Sequence, residues 1–183
     1  MSATSNRRSA GEIVEALGAV LLALQWTPAG GSAESAFQSV KLFDLDALAA
    51  ALSELIVSQE RVCFIVPGDE RFTARAESPA RLVMTRTLPV ALLLSDRVLG
   101  DRQAALYGTD TNPGAFSLLE LALPAVTGVL LANPRGVLVK PVTAAVVTVK
   151  DEARTLPGRA CVELDLDCTG GTLSASLGAG PIL

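Results

Sequence analysis

No histidine occurs in the 183 residues of this chain. That removes the commonest general base and the commonest metal ligand. Only three cysteines are present, and they sit in apolar runs such as Val62-Cys63-Phe64-Ile65-Val66. Cys161 and Cys168 fall seven residues apart on one extended segment. At ~3.3 Å per residue they lie ~23 Å apart and on opposite faces. A disulfide needs Cα atoms within ~7 Å, so three reduced thiols packing as small hydrophobes are expected. Charge is scarce too, at 19% of residues against the usual ~25%. The net charge of −4 disfavours a general nucleic-acid-binding surface, which needs clustered Lys and Arg. Arg7-Arg8 is the one adjacent basic pair, and it stands in a Ser-rich stretch that reads as a loose arm.

No uncharged apolar run reaches the ~18–20 residues of a membrane span. Ile13–Leu24 is interrupted by Glu15 and Gly18, and Leu118–Ala132 by Glu120, Pro124 and Gly128. No signal peptide is visible, so a product of the cytoplasm is expected. Catalytic patterns are equally thin. The lysines are Lys41, Lys140 and Lys150, none in an S-x-x-K setting, and G-x-S-x-G does not occur. Gly170-Gly171-Thr172 lacks the G-K-[ST] ending of a phosphate loop. The reading is of a chain without catalytic, cofactor-binding or metal-binding residues.

What is abundant is apolar side chains, 50% of the residues. A chain of this length buries roughly 70% of its unfolded surface and folds without metals or disulfides. The surplus fits subunit interfaces, and it fits equally an Ala- and Leu-rich composition.

Ser9 followed by Glu12 forms a capping-box pattern that opens a helix over about 10–24. Ile13, Val14, Leu17, Val20, Leu21 and Leu24 supply its apolar stripe. A Gly/Ser/Pro-containing break spans Trp26 to Ser35, and a short strand is expected near Phe37–Phe43. Asp44 caps a second amphipathic helix at about 45–58. Strands are expected at Arg61–Val66, Phe72–Ala76, Arg81–Leu94, Val142–Lys150 and Arg159–Cys168. Pro89 calls for a bulge or an edge in its strand. Residues 96–114 read as a long polar loop, and a third helix as running about Ala115–Ala132 with a kink near Pro124. Helices do not alternate singly with strands. The expectation is therefore α+β, with a mainly antiparallel sheet packed against two or three helices. The division is an N-terminal arm, helix and linker (1–43), a main domain (44–168) and a flexible Gly/Ser-rich tail (169–183).

Two groups of charged residues stand out. Glu163, Asp165 and Asp167 share one face of the last strand, while Val162, Leu164 and Leu166 take the other. Three carboxylates in a row fit a solvated or lumen-facing strand, or Mg²⁺ and acid–base chemistry if they converge. Asp96-Arg97 and Asp101-Arg102 flank Val98-Leu99-Gly100. They suit ion pairs between subunits, or local surface pairs worth ~0–1 kcal/mol.

This order of elements resembles that of the tail terminator (tail completion) proteins of tailed bacteriophages, and of head–tail joining proteins generally. The resemblance covers about 45–168. Leu88-Pro89-Val90-Ala91-Leu92-Leu93-Leu94 looks like the family's central strand and Arg159–Cys168 like its closing strand. It implies a structural virion protein, made in the host bacterial cytoplasm, that forms a homo-oligomeric ring, typically of six copies. The ring would cap the tail tube, join it to the head–neck and pass DNA without specific binding. The alternatives are another neck or connector protein, a non-viral adaptor domain, or an enzyme centred on Glu163, Asp165 and Asp167.

Overall fold

The computed structural model describes residues 9–43, 61–78, 81–97, 101–131, 136–147 and 159–176. The arm at 1–8, the helix at 45–58 with its Asp44 cap, and residues 177–183 lie outside the described residues. So do the side chains of Arg97 and Arg102.

Helix α1 (Ala10–Leu22) begins where its capping box places it. The Glu12 N–H donates to Ser9 Oγ at 3.1 Å, and the Ser9 N–H donates to Glu12 Oε2 at 2.6 Å. Two of the helix's orphan donors are satisfied in this way. Of its apolar stripe, Ile13, Val14, Leu17 and Leu21 are buried, and Val20 and Leu24 pack half-buried against the same core. The Trp26–Ser35 break holds a two-stranded ribbon, β1 (Gln25–Trp26) with β2 (Glu34–Ser35).

The main sheet contains β3 (Ser39–Leu42), β4 (Val62–Pro67), β5 (Arg71–Ser78), β6 (Arg81–Arg97), β7 (Gly128–Leu131), β8 (Val137–Val146) and β9 (Arg159–Ser176). Its order is β3-β4-β6-β9-β8-β7, with β5 beside β6 in line with β4. Among the described strands, only the β3–β4 pair is parallel. The fold is α+β, as the sequence pattern requires.

Along β6, Leu88, Val90, Leu92 and Leu94 alternate onto the face that carries α1 and α3 (Gly114–Val126). Across β9 they meet Cys168, Leu166, Leu164 and Val162 in register. This is the main core, and α1 belongs to it. The described part of the 1–43 segment shares its core with the sheet, through α1 and through β3, which pairs with β4. A smaller cluster of Phe43, Val62 and Phe64 occupies the opposite face, with the Phe43 and Phe64 rings edge to face at 4.4 Å.

Several expected boundaries move, each for a local reason. The 96–114 stretch is not a loop throughout, because Asp101 caps a short helix, α2 (Arg102–Tyr107). The third helix stops at Val126 rather than Ala132. Pro124 has no N–H to give, Thr127 turns its hydroxyl back to Leu123 O at 2.6 Å, and Gly128 at φ +107° opens β7. Strand β8 starts at Val137, five residues ahead of the expected Val142. Strand β9 runs through Thr169 to Ser176, so this part of the supposed flexible tail is sheet. Gly170-Gly171 lets it do so. One extra residue enters β9 opposite Thr85–Arg86, and a Cβ on Gly170 would lie 2.9 Å from Gly136 O. Pro89 sits in a central strand, not at an edge. The irregularity lies next to it: Gly68 to Glu70 separate β4 from β5, and the Gly68 N–H donates to Pro89 O at 2.8 Å.

None of the three cysteines forms a disulfide. Cys168 is buried on the helix face, and Cys161 is half-buried. Burial, with the neighbouring Asp167 charge second, pushes the Cys168 thiol up to about 12 from an ordinary 9.0. Burial, and then Cys161, raises Cys63 as well. A thiol whose pKa rises on folding stabilises the fold below its unfolded value, and that contribution is lost as pH rises toward the folded value. Urea midpoints should therefore fall between about pH 8 and about pH 10.5, by less in Cys168→Ala than in the parent. Equal slopes would show that Cys168 ionises as freely folded as unfolded.

Candidate functional site

The face of the sheet turned away from α1 and α3 carries the acidic row. Period-2 alternation along β9 sends Val162, Leu164 and Leu166 into the core and leaves Glu163, Asp165 and Asp167 half-exposed on the other side. The register sets their neighbours. Glu163 lies between Leu93 and Ala145, Asp165 between Ala91 and Thr143, and Asp167 between Pro89 and Lys140. Thr143 donates its hydroxyl to Asp165 Oδ2 at 2.6 Å. Beside the row is an open groove of about 410 Å³, walled by Val66, Pro67, Gly68, Arg71 and Val142.

The row is spread out rather than gathered. Same-face neighbours on a strand stand ~6–7 Å apart. Among the described residues no group of three or more His, Cys, Asp or Glu side chains is placed to hold a metal ion. Arg71 in the groove wall and Lys140 opposite Asp167 set two cations near the three acids. The arrangement makes a screened, negatively biased wall with apolar margins.

The second expected group does not act as one unit. Asp96 is only 1% exposed. Its Oδ2 accepts from Asn112 Nδ2 and from the Gly114 N–H, each at 2.9 Å. That carboxylate ties the end of β6 to the start of α3 and is not placed to meet another subunit. The reason is strand parity: Asp96 follows Leu92 and Leu94 onto the helix face. Asp101 Oδ1 accepts from the Gln103 N–H at 2.9 Å and the Ala104 N–H at 3.1 Å, as an N-cap does. The side chains of Arg97 and Arg102 lie outside the described residues.

Two buried arginines carry structure that the sequence did not single out. Arg61 donates to Glu34 Oε1 at 3.0 Å and to Ser35 O at 2.9 Å, with its guanidinium 5.6 Å from the Trp26 ring centre. It pins the β1–β2 ribbon to β4. Arg86, in the distal half of β6, is buried and paired with Glu70. The signal for Arg86 was a lone charge inside a strand, which demands a partner when buried; Arg61, next to Glu60 at the entry to β4, carried no such signal.

The chain matches no protein-family model and no curated protein. Fold and surface therefore define its class, an α+β domain in which the described helices α1 and α3 pack on one sheet face and the other face bears the acidic row.

Proposed function

We propose that this chain is a structural virion subunit. It forms a ring at the head-proximal end of a phage tail, caps the tail tube and joins it to the neck. It acts by shape and charge and catalyses nothing. The observation that carries this reading is the acidic row on the sheet face turned away from α1 and α3. Three carboxylates stand in a row there, half-exposed and not converged. Turned toward a lumen, such a wall repels a phosphate backbone and lets DNA pass without adhering. The order of elements along the sequence, which resembles that of tail terminators, adds support.

Removing the reading frame from the genome that encodes it should leave filled heads and unattached tails in electron micrographs. Normal joined particles would contradict the proposal. Changing Glu163, Asp165 and Asp167 together to Gln, Asn and Asn should leave folding intact and increase the DNA retained by assembled protein. Unchanged retention would remove the electrostatic role of the wall.

A further inference from the structure

Edge strands expose unpaired N–H and C=O groups, and soluble proteins usually guard them with short length, charge, proline or a bulge. Among the described residues, three open edges here carry such guards. β3 has four residues and includes Lys41. β7 has four residues and slips register against β8. β8 beyond Val139 carries Lys140, Pro141 and a register shift.

The ribbon made by β5, the distal half of β6 and the distal half of β9 is different. Arg71–Ala76 pair with β6 in unbroken register, include neither Pro nor Lys, and are all exposed. On the ribbon's other side, β9 continues past Gly170, where its pairing with β8 ends and no described strand takes over. The two edges occupy the same rows: Ala74 and Leu173 flank Met84, Arg75 and Ser174 flank Val83, and Ala76 and Ala175 flank Leu82.

We propose that β5 of one copy pairs with the 171–176 stretch of β9 in the next copy, head to tail. The identity of the partner, a second copy of this chain, rests on the self-assembling reading above; the surfaces and polarity are new. Charge disfavours pairing β5 with β5. β5 bears Arg71 and Arg75, whereas residues 169–176 bear no charge. A two-fold β5–β5 pairing centred on Thr73 sets Arg71 across from Arg75, and like charges directly opposite are destabilising. One centred on Ala74 requires the stretch around Glu77, where β5 loses its register. Because β5 and β9 both run antiparallel to β6, they point the same way, and the joint between copies is parallel. Each joint uses one edge of each kind and leaves one of each free, so copies add until rotation closes the series.

Native mass spectrometry of the full chain tests this with two variants, Thr73→Pro in β5 and Ser174→Pro in β9. Each alone should give only monomer where the parent assembles. Mixed together they should give a one-to-one heterodimer and nothing larger, because each retains one competent edge. Circular dichroism and thermal melting check that both fold. Should either proline prevent folding, Ser174→Arg replaces it: it should weaken assembly, and Arg75→Glu in the same chain should restore it. A Ser174→Pro or folded Thr73→Pro protein that assembles like the parent overturns the edge pairing and leaves the ring reading standing. Edge-dependent assembly in a protein whose loss leaves joined particles would do the reverse. A parent that stays monomeric at every concentration overturns the pairing outright.

Discussion

Replacing Gly114 with alanine is expected to destabilise the protein by about 3–5 kcal/mol. Gly114 opens α3 with φ +74°, a region that side chains rarely adopt. A Cβ there would sit 2.8 Å from Gly108 Cα and from the Tyr107 carbonyl carbon, and closer still to the Gly108 nitrogen. None of these is the end of a flexible side chain, so none can swing away. Gly108, at φ +82°, meets the same crowding from the other side, with its own added Cβ 2.7 Å from Asn112 O. The α2–α3 connection is thus backbone pressed on backbone, and α3 is docked through it. Gly128→Ala is the control. That residue also has a positive φ, +107°, but no atom lies within 4 Å of an added Cβ. It should cost about 1 kcal/mol, from backbone strain alone. Urea unfolding of the two variants checks the difference, and equal midpoints would mean that the close approach does not exist.

Asp96→Ala should cost about 3 kcal/mol, from the same junction. The carboxylate is buried and accepts two hydrogen bonds, from Asn112 Nδ2 and the Gly114 N–H. Truncation leaves buried donors without partners, and each such group costs about 1–3 kcal/mol. Asp101→Ala removes the exposed N-cap of α2 and should cost only about 1 kcal/mol. The comparison separates an internal tie from an interface residue. An Asp96→Ala protein that unfolds like the parent but assembles poorly would return Asp96 to the subunit interface.

Much of this architecture was written in periodicity. The capping box at Ser9 and Glu12, the alternation along β6 and β9, and the division of acids from apolar residues at 162–167 all follow from a 3.6- or 2-residue repeat. What escaped reading depended on partners distant in sequence. Parity carried past Leu94 turns Asp96 inward, but the strand was expected to end at Leu94, and the donors that satisfy a buried carboxylate there arrive from Asn112 and Gly114. The strand past Thr169 looked like a linker because Gly170-Gly171 is a flexible pair in isolation. In the sheet it is the bulge that β9 needs beside Arg86. Pro89 marked an irregularity correctly but not its location, which is in the neighbouring strand at Gly68. The acidic row was legible in full as a pattern. The groove beside it was not, since Val66, Arg71 and Val142 meet only in the folded sheet.

Self-assembly is the claim on which the account turns. The direct measurement is native mass spectrometry of the full chain, from nanomolar to tens of micromolar, with negative-stain images of the same samples. The account predicts one closed oligomer, six copies in the family it resembles, seen as a ring with an open centre. A monomer throughout that range, or an open distribution with no closed species, would contradict it.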